Sequence, residues 1–104
     1  MGNAPEATVR PTAYAVSCLP PDHPDAYLFT LRVEWRGEHG WCVTDGAYCL
    51  RRDGHKSYES RPSSRTDRFK KAYRFPLDEA LEIAKKYAPK MSINGHTVES
   101  VLAR

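Results

Sequence analysis

Long apolar runs are absent from this 104-residue chain, whose mean hydropathy is −0.65. A helix needs about 20 consecutive apolar residues to cross a bilayer, so helical membrane spans are excluded. Cysteine is scarce and odd in number, with only Cys18, Cys42 and Cys49. Small secreted domains carry a dense, even-numbered set, so a reducing compartment is expected. Met1–Arg10 lacks the basic start and apolar stretch of a secretory signal, and a cytoplasmic location is expected. Glycine is sparse and forms no phosphate-cradling loop, and no internal repeat is present. No nucleophile elbow is recognisable, and the adjacent Asp78 and Glu79 point to different sides of a helix. The chain is therefore read as non-enzymatic, with no catalytic residue and no cofactor.

Metal binding fares little better. His39, Cys42, Cys49 and His55 fall within seventeen residues. Yet no two cysteines have the knuckle spacing of about two to four residues, and both strand cysteines sit in apolar contexts where they act as small hydrophobes. No metal site is expected. A Cys42–Cys49 disulfide is sterically thinkable across a turn at Asp45-Gly46, but an intracellular setting opposes it.

What is present is an unevenly placed charge. The formal net charge is +3, but residues 51–74 hold nine Lys and Arg against three Asp and Glu, a local balance of +6. The remaining eighty residues sum to −3. The middle of the chain should attract a polyanion or an acidic protein face. Arg51, Arg52, Lys56, Arg61, Arg65, Arg68, Lys70 and Lys71, with Tyr58 as a stacking ring, are the candidate nucleic-acid or anion contacts. Ser63, Ser64 and Arg65 also suit an oxyanion, though a Ser or Thr cap with Asp67 closing a turn is the plainer role. The plainer reading of the whole segment is a solvated hairpin and loop, followed by an edge strand in which Phe69, Tyr73 and Phe75 alternate inward.

The elements follow from periodicity. Met1–Pro11 reads as a flexible arm, and residues 12–104 as one α+β domain. A short strand is expected over residues 12–19, and Pro20, Pro21 and Pro24 then impose a rigid loop. Tyr27, Phe29, Leu31, Val33 and Trp35 alternate with more polar neighbours, predicting an antiparallel strand over residues 26–36 with the odd positions inward. Gly37 to Gly40 make a four-residue connection that sets Trp41 opposite Arg36 in the returning strand. Trp35 and Trp41, flanking that connection, could alternatively present an aromatic patch to a protein partner.

Asp45-Gly46 is either a two-residue turn, which would set Cys42 opposite Cys49, or a bulge in one longer strand. Asp53-Gly54 turns the chain again, placing Leu50 opposite Ser57, and residues 60–67 are a polar surface loop. Leu77, Ala80, Leu81, Ala84 and Ala88 share one helical face, predicting the main C-terminal helix over residues 77–88. Asn94-Gly95 turns into residues 96–102, which can close the chain as a short second helix capped by Thr97. The fold expected is an antiparallel β-meander of four to five strands packed against that main helix.

With these residues in hand, the chain resembles small uncharacterised proteins of actinobacteria and their phages. The resemblance runs through Tyr48-Cys49-Leu50-Arg51-Arg52-Asp53-Gly54, Tyr58-Glu59, Pro62-Ser63-Ser64-Arg65, Arg74-Phe75-Pro76-Leu77-Asp78-Glu79-Ala80-Leu81 and Ile93-Asn94-Gly95-His96-Thr97. It implies the setting of an accessory protein of a mobile element or its host. No activity comes with it, so no site residue is carried over. The expected function is a small module binding nucleic acid through residues 51–74. The alternative is a protein-interaction or inhibitor module acting on a host protein.

Overall fold

The computed structural model describes residues 4–59 and 65–103. After an irregular, exposed stretch, five strands form an antiparallel sheet in sequence order. They are β1 (Ala13–Ser17), β2 (Thr30–Trp35), β3 (Trp41–Thr44), β4 (Tyr48–Leu50) and β5 (Lys56–Tyr58). α1 (Asp67–Tyr73), α2 (Leu77–Tyr87), a two-stranded hairpin of β6 (Ser92–Ile93) and β7 (His96–Thr97), and α3 (Val98–Leu102) complete the chain. The α+β class, the meander and the main helix are those the sequence predicts.

Period-two alternation divides the sheet into two unlike faces. Leu31, Val33, Val43 and Leu50 point to one side and pack with Phe75 against Ala80, Ile83 and Ala84 of α2. Cys42 and Cys49, one step out of phase, point to the other side and pack under Phe69, Ala72 and Tyr73 of α1. Leu19 and Phe29 form a third cluster with Val98 and Val101 of α3, whose Thr97 cap is reciprocated by Ser100.

Several expectations are corrected. The second strand starts four residues late: residues 26–29 form a turn in which the Asp25 carbonyl accepts the Leu28 N–H at 3.0 Å and the Ala26 carbonyl the Phe29 N–H at 3.2 Å. The helical turn rotates Tyr27 outward to 77% exposure, and Trp35, at the far end, stays 39% exposed with the Arg10 guanidinium 4.4 Å above its ring. Trp41 stands opposite Trp35 rather than Arg36, because Gly37–His39 is a 3-10 turn closed by an Arg36 N–H to Gly40 carbonyl bond of 2.7 Å.

Asp45-Gly46 is a turn and not a bulge, but a longer one than two residues. The Asp45 carboxylate accepts the Ala47 and Tyr48 N–H groups at 3.0 and 2.8 Å, while Thr44 Oγ1 accepts from Gly46 N at 3.0 Å. Thr44 therefore pairs with Cys49, leaving Cys42 and Cys49 diagonal. At Asp53-Gly54 the loop also gains a residue, with Gly54 at φ +86° and Leu50 opposite Lys56. The edge strand of Phe69 and Tyr73 is instead α1: Thr66 Oγ1 caps it by accepting the Phe69 N–H at 3.1 Å, and Phe69, Ala72 and Tyr73 have helical spacing.

Gly40 is held against backbone. Its φ is +99°, and a Cβ there would lie 2.7 Å from the Phe75 carbonyl, which accepts the Trp41 N–H at 2.8 Å. Gly46 has φ +105° with open space around it. Each alanine variant carries about 1–2 kcal/mol of left-handed strain, and only Gly40→Ala adds a backbone collision. Urea unfolding should show Gly40→Ala as clearly the less stable of the two; equal losses would contradict the close approach.

Candidate functional site

α1 is two turns long and two-sided. Phe69 and Tyr73 stack with ring centroids 4.7 Å apart against the sheet, while Arg68 and Lys71 are exposed and Lys70 is half-buried. Lys70 and Lys71, with His39, Asp67 and Arg74, line an open depression of about 400 Å³.

The helix is fastened at both ends through Glu59, the residue after β5. The Glu59 carboxylate accepts from Arg36 Nη2 at 3.0 Å and from Arg74 Nη2, and lies 3.6 Å from Arg65 Nη2. Arg65 precedes α1, Arg74 follows it, and Arg36 stands at the end of β2 and also reaches Glu34 at 3.4 Å. The Arg74 side chain is 3% exposed and Glu59 16%, so this network is largely withdrawn from water. Arg74 Nη1 further donates to the Tyr73 carbonyl at 3.0 Å. Burial alone would raise the Glu59 carboxyl, but Arg36 and then Arg74 outweigh it and hold the group below its ordinary range.

The cations predicted as contacts do not share one face. Arg51 donates to Asp53 at 2.6 Å, and that hydrogen bond holds the exposed Asp53 carboxyl down to about 2. Arg52 is paired with Glu79 and covers the Phe75 ring at 5.1 Å. Lys56 Nζ meets Asp45 at 3.0 Å. Arg65 belongs to the Glu59 network, and Arg61, with Ser63 and Ser64, lies outside the described residues. Tyr58 is 72% exposed on the edge strand, directly opposite the half-exposed Tyr48. Among the described residues, Arg68, Lys70 and Lys71 are the predicted contacts that form no ion pair with a described carboxylate. Sequence reasoning passed over Glu59 as the organising group. Its signal was its isolation: between Lys56 and Arg65 it is the lone carboxylate among three cations.

Beneath α1, the Sγ atoms of Cys42 and Cys49 and a Glu59 carboxylate oxygen lie within 4.8 Å of one another. Both cysteines are buried free thiols, and a hydrogen bond between them lowers Cys42 and raises Cys49. His39 and His55 are not part of this group.

Glu59 titrates below its ordinary 4.5 in the fold, so its stabilisation is complete above that pH and is lost as pH falls through the folded value. Glu59→Gln leaves Arg74 buried without its counter-charge and should cost on the order of 3 kcal/mol at pH 7. Its unfolding free energy should also fall less steeply with acid below pH 4.5 than that of the wild type. Urea titrations across pH check both, and parallel acid limbs would contradict the assignment. No protein-family model, curated protein or solved structure matches the chain.

Proposed function

We propose that the protein is a non-enzymatic binding module whose anion-binding face is α1, with nucleic acid as the anionic partner. One observation carries the reading: Arg68, Lys70 and Lys71 stand together on a short helix whose ends are tied to the sheet, without described carboxylate partners. Cations held on a fixed platform can neutralise successive phosphates without reading base edges. Arg51, Arg52 and Lys56 support the hairpin and turns instead, through Asp53, Glu79 and Asp45.

A second reading rests on Tyr48 and Tyr58, which are 46% and 72% exposed and paired across β4 and β5 at the sheet edge. Such a pair suits a protein partner, since tyrosine is enriched at interface hot spots.

Fluorescence polarisation with labelled DNA and RNA across a salt series separates the two. Three phosphate contacts on a duplex predict a log–log salt slope of roughly −2 to −3, falling by about one unit for each of Arg68→Ala, Lys70→Ala and Lys71→Ala. Arg52→Ala and Lys56→Ala should change affinity far less. Absence of binding at low salt would overturn the nucleic-acid reading.

A further inference from the structure

Cys42 and Cys49 alternate with Val43 and Leu50, so both thiols point away from α2 into the space under α1. Their diagonal placement follows from the long Asp45 turn, which pairs Cys49 with Thr44. The chain then returns along β5, where Ser57 stands opposite Cys49, and two residues later supplies Glu59. Two sulfur ligands and one carboxylate thus converge from three successive strand segments, wider apart along the chain than the roughly two-to-four-residue spacing of zinc knuckles, which is why spacing does not reveal them.

We propose that Cys42, Cys49 and Glu59 form a binding site for a thiophilic divalent cation, Zn²⁺ first. Zinc takes thiolate sulfur at about 2.3 Å and carboxylate oxygen at about 2.0–2.2 Å, which sets the tetrahedral ligand atoms of such a set roughly 3.5–3.8 Å apart. The three ligand atoms already lie within 4.8 Å of one another, so closure on a metal needs side-chain adjustment and no change of register. The ligand chemistry selects zinc over magnesium or calcium, which require oxygen donors.

Charge balance permits the exchange beside the neighbouring guanidinium groups. Binding replaces two thiol protons by one Zn²⁺, forming two Zn–S bonds and releasing both protons to solvent. The net charge of the nest is unchanged, and the pairing of Arg36 and Arg74 with Glu59 is kept. A carboxylate has about four lone-pair sites; Glu59 accepts from Arg36 Nε at 3.3 Å, from Arg36 Nη2 and from Arg74 Nη2, which leaves about one site for the metal. The two arginines then act as the outer partners that orient a ligating group.

The test uses the full chain, held reduced, and Co²⁺ as a spectroscopic probe for zinc. One Co²⁺ per chain should bind with a thiolate-to-metal charge-transfer band in the near ultraviolet, and added Zn²⁺ should bleach it. The band should disappear in Cys42→Ser and Cys49→Ser and persist in Cys18→Ser and His55→Ala. Glu59→Gln should keep the sulfur band but weaken affinity by about 10-fold or more. Should the cysteine variants fail to fold, proton release on wild-type Zn²⁺ binding decides. Release of more than one proton per metal near neutral pH supports a dithiolate site. No charge-transfer band in the wild type, a band lost in Cys18→Ser, or metal uptake without proton release would overturn the proposal.

Discussion

A single carboxylate, Glu59, gathers three guanidinium groups from the end of β2, the approach to α1 and its exit. Arg74 is the most demanding of them, since a cation whose side chain is 3% exposed is strongly destabilising unless a counter-charge meets it. Sheet edge and helix are therefore placed relative to each other by electrostatics as well as by the apolar contacts of Phe69, Ala72 and Tyr73. Propensity alone would leave a seven-residue helix marginal in water, so α1 owes its stability to this packing and pairing. Where α1 sits then decides where Arg68, Lys70 and Lys71 point, and it closes the space around Cys42 and Cys49.

The same network explains why a local balance of +6 overstates the charge available to a partner. Cations of the hairpin segment are absorbed by nearby acids: Arg51 by Asp53, Lys56 by Asp45, and Arg52 by Glu79 across to α2. Arg65 and Arg74 are drawn to Glu59. Exposed pairs such as Arg51–Asp53 contribute little stability, about 0–1 kcal/mol, yet they still satisfy the guanidinium donors that a phosphate would need. Among the described residues, the cations left without a described carboxylate partner contract from a twenty-four-residue segment to one short helix.

Much of the fold was legible because it rests on strong periodic signals. Leu31, Val33, Val43 and Leu50 alternate as strands must, and Ala80 and Ala84 share a helical stripe, so the meander and α2 could be read directly. What was illegible depended on side chains bonding to the backbone. The Asp45 carboxylate and the Thr44 hydroxyl lengthen a turn that composition presents as two residues, moving Cys49 from Cys42 to Thr44. The Thr66 cap turns the segment from Asp67 to Tyr73 into a helix where the alternation of Phe69, Tyr73 and Phe75 suggested a strand. At the candidate site, residue types were readable but pairings were not: nothing in the order of residues says that Glu59 and not water would meet Arg74. Tyr27 shows the opposite failure, an alternation that continued past the true start of its strand into a turn.

Glu59 is thus the point where stability, the placement of the α1 cations and the thiol nest meet. The most direct test of its positioning role is the affinity of Glu59→Gln for a labelled oligonucleotide, measured beside the wild type at fixed salt and at a temperature where both are folded. Removing a negative charge makes the protein more attractive to a polyanion, so electrostatics without positioning predicts equal or tighter binding. If Glu59 holds α1 in its binding orientation, Glu59→Gln binds more weakly despite its added positive charge. Binding as tight as the wild type, or tighter, would contradict the account.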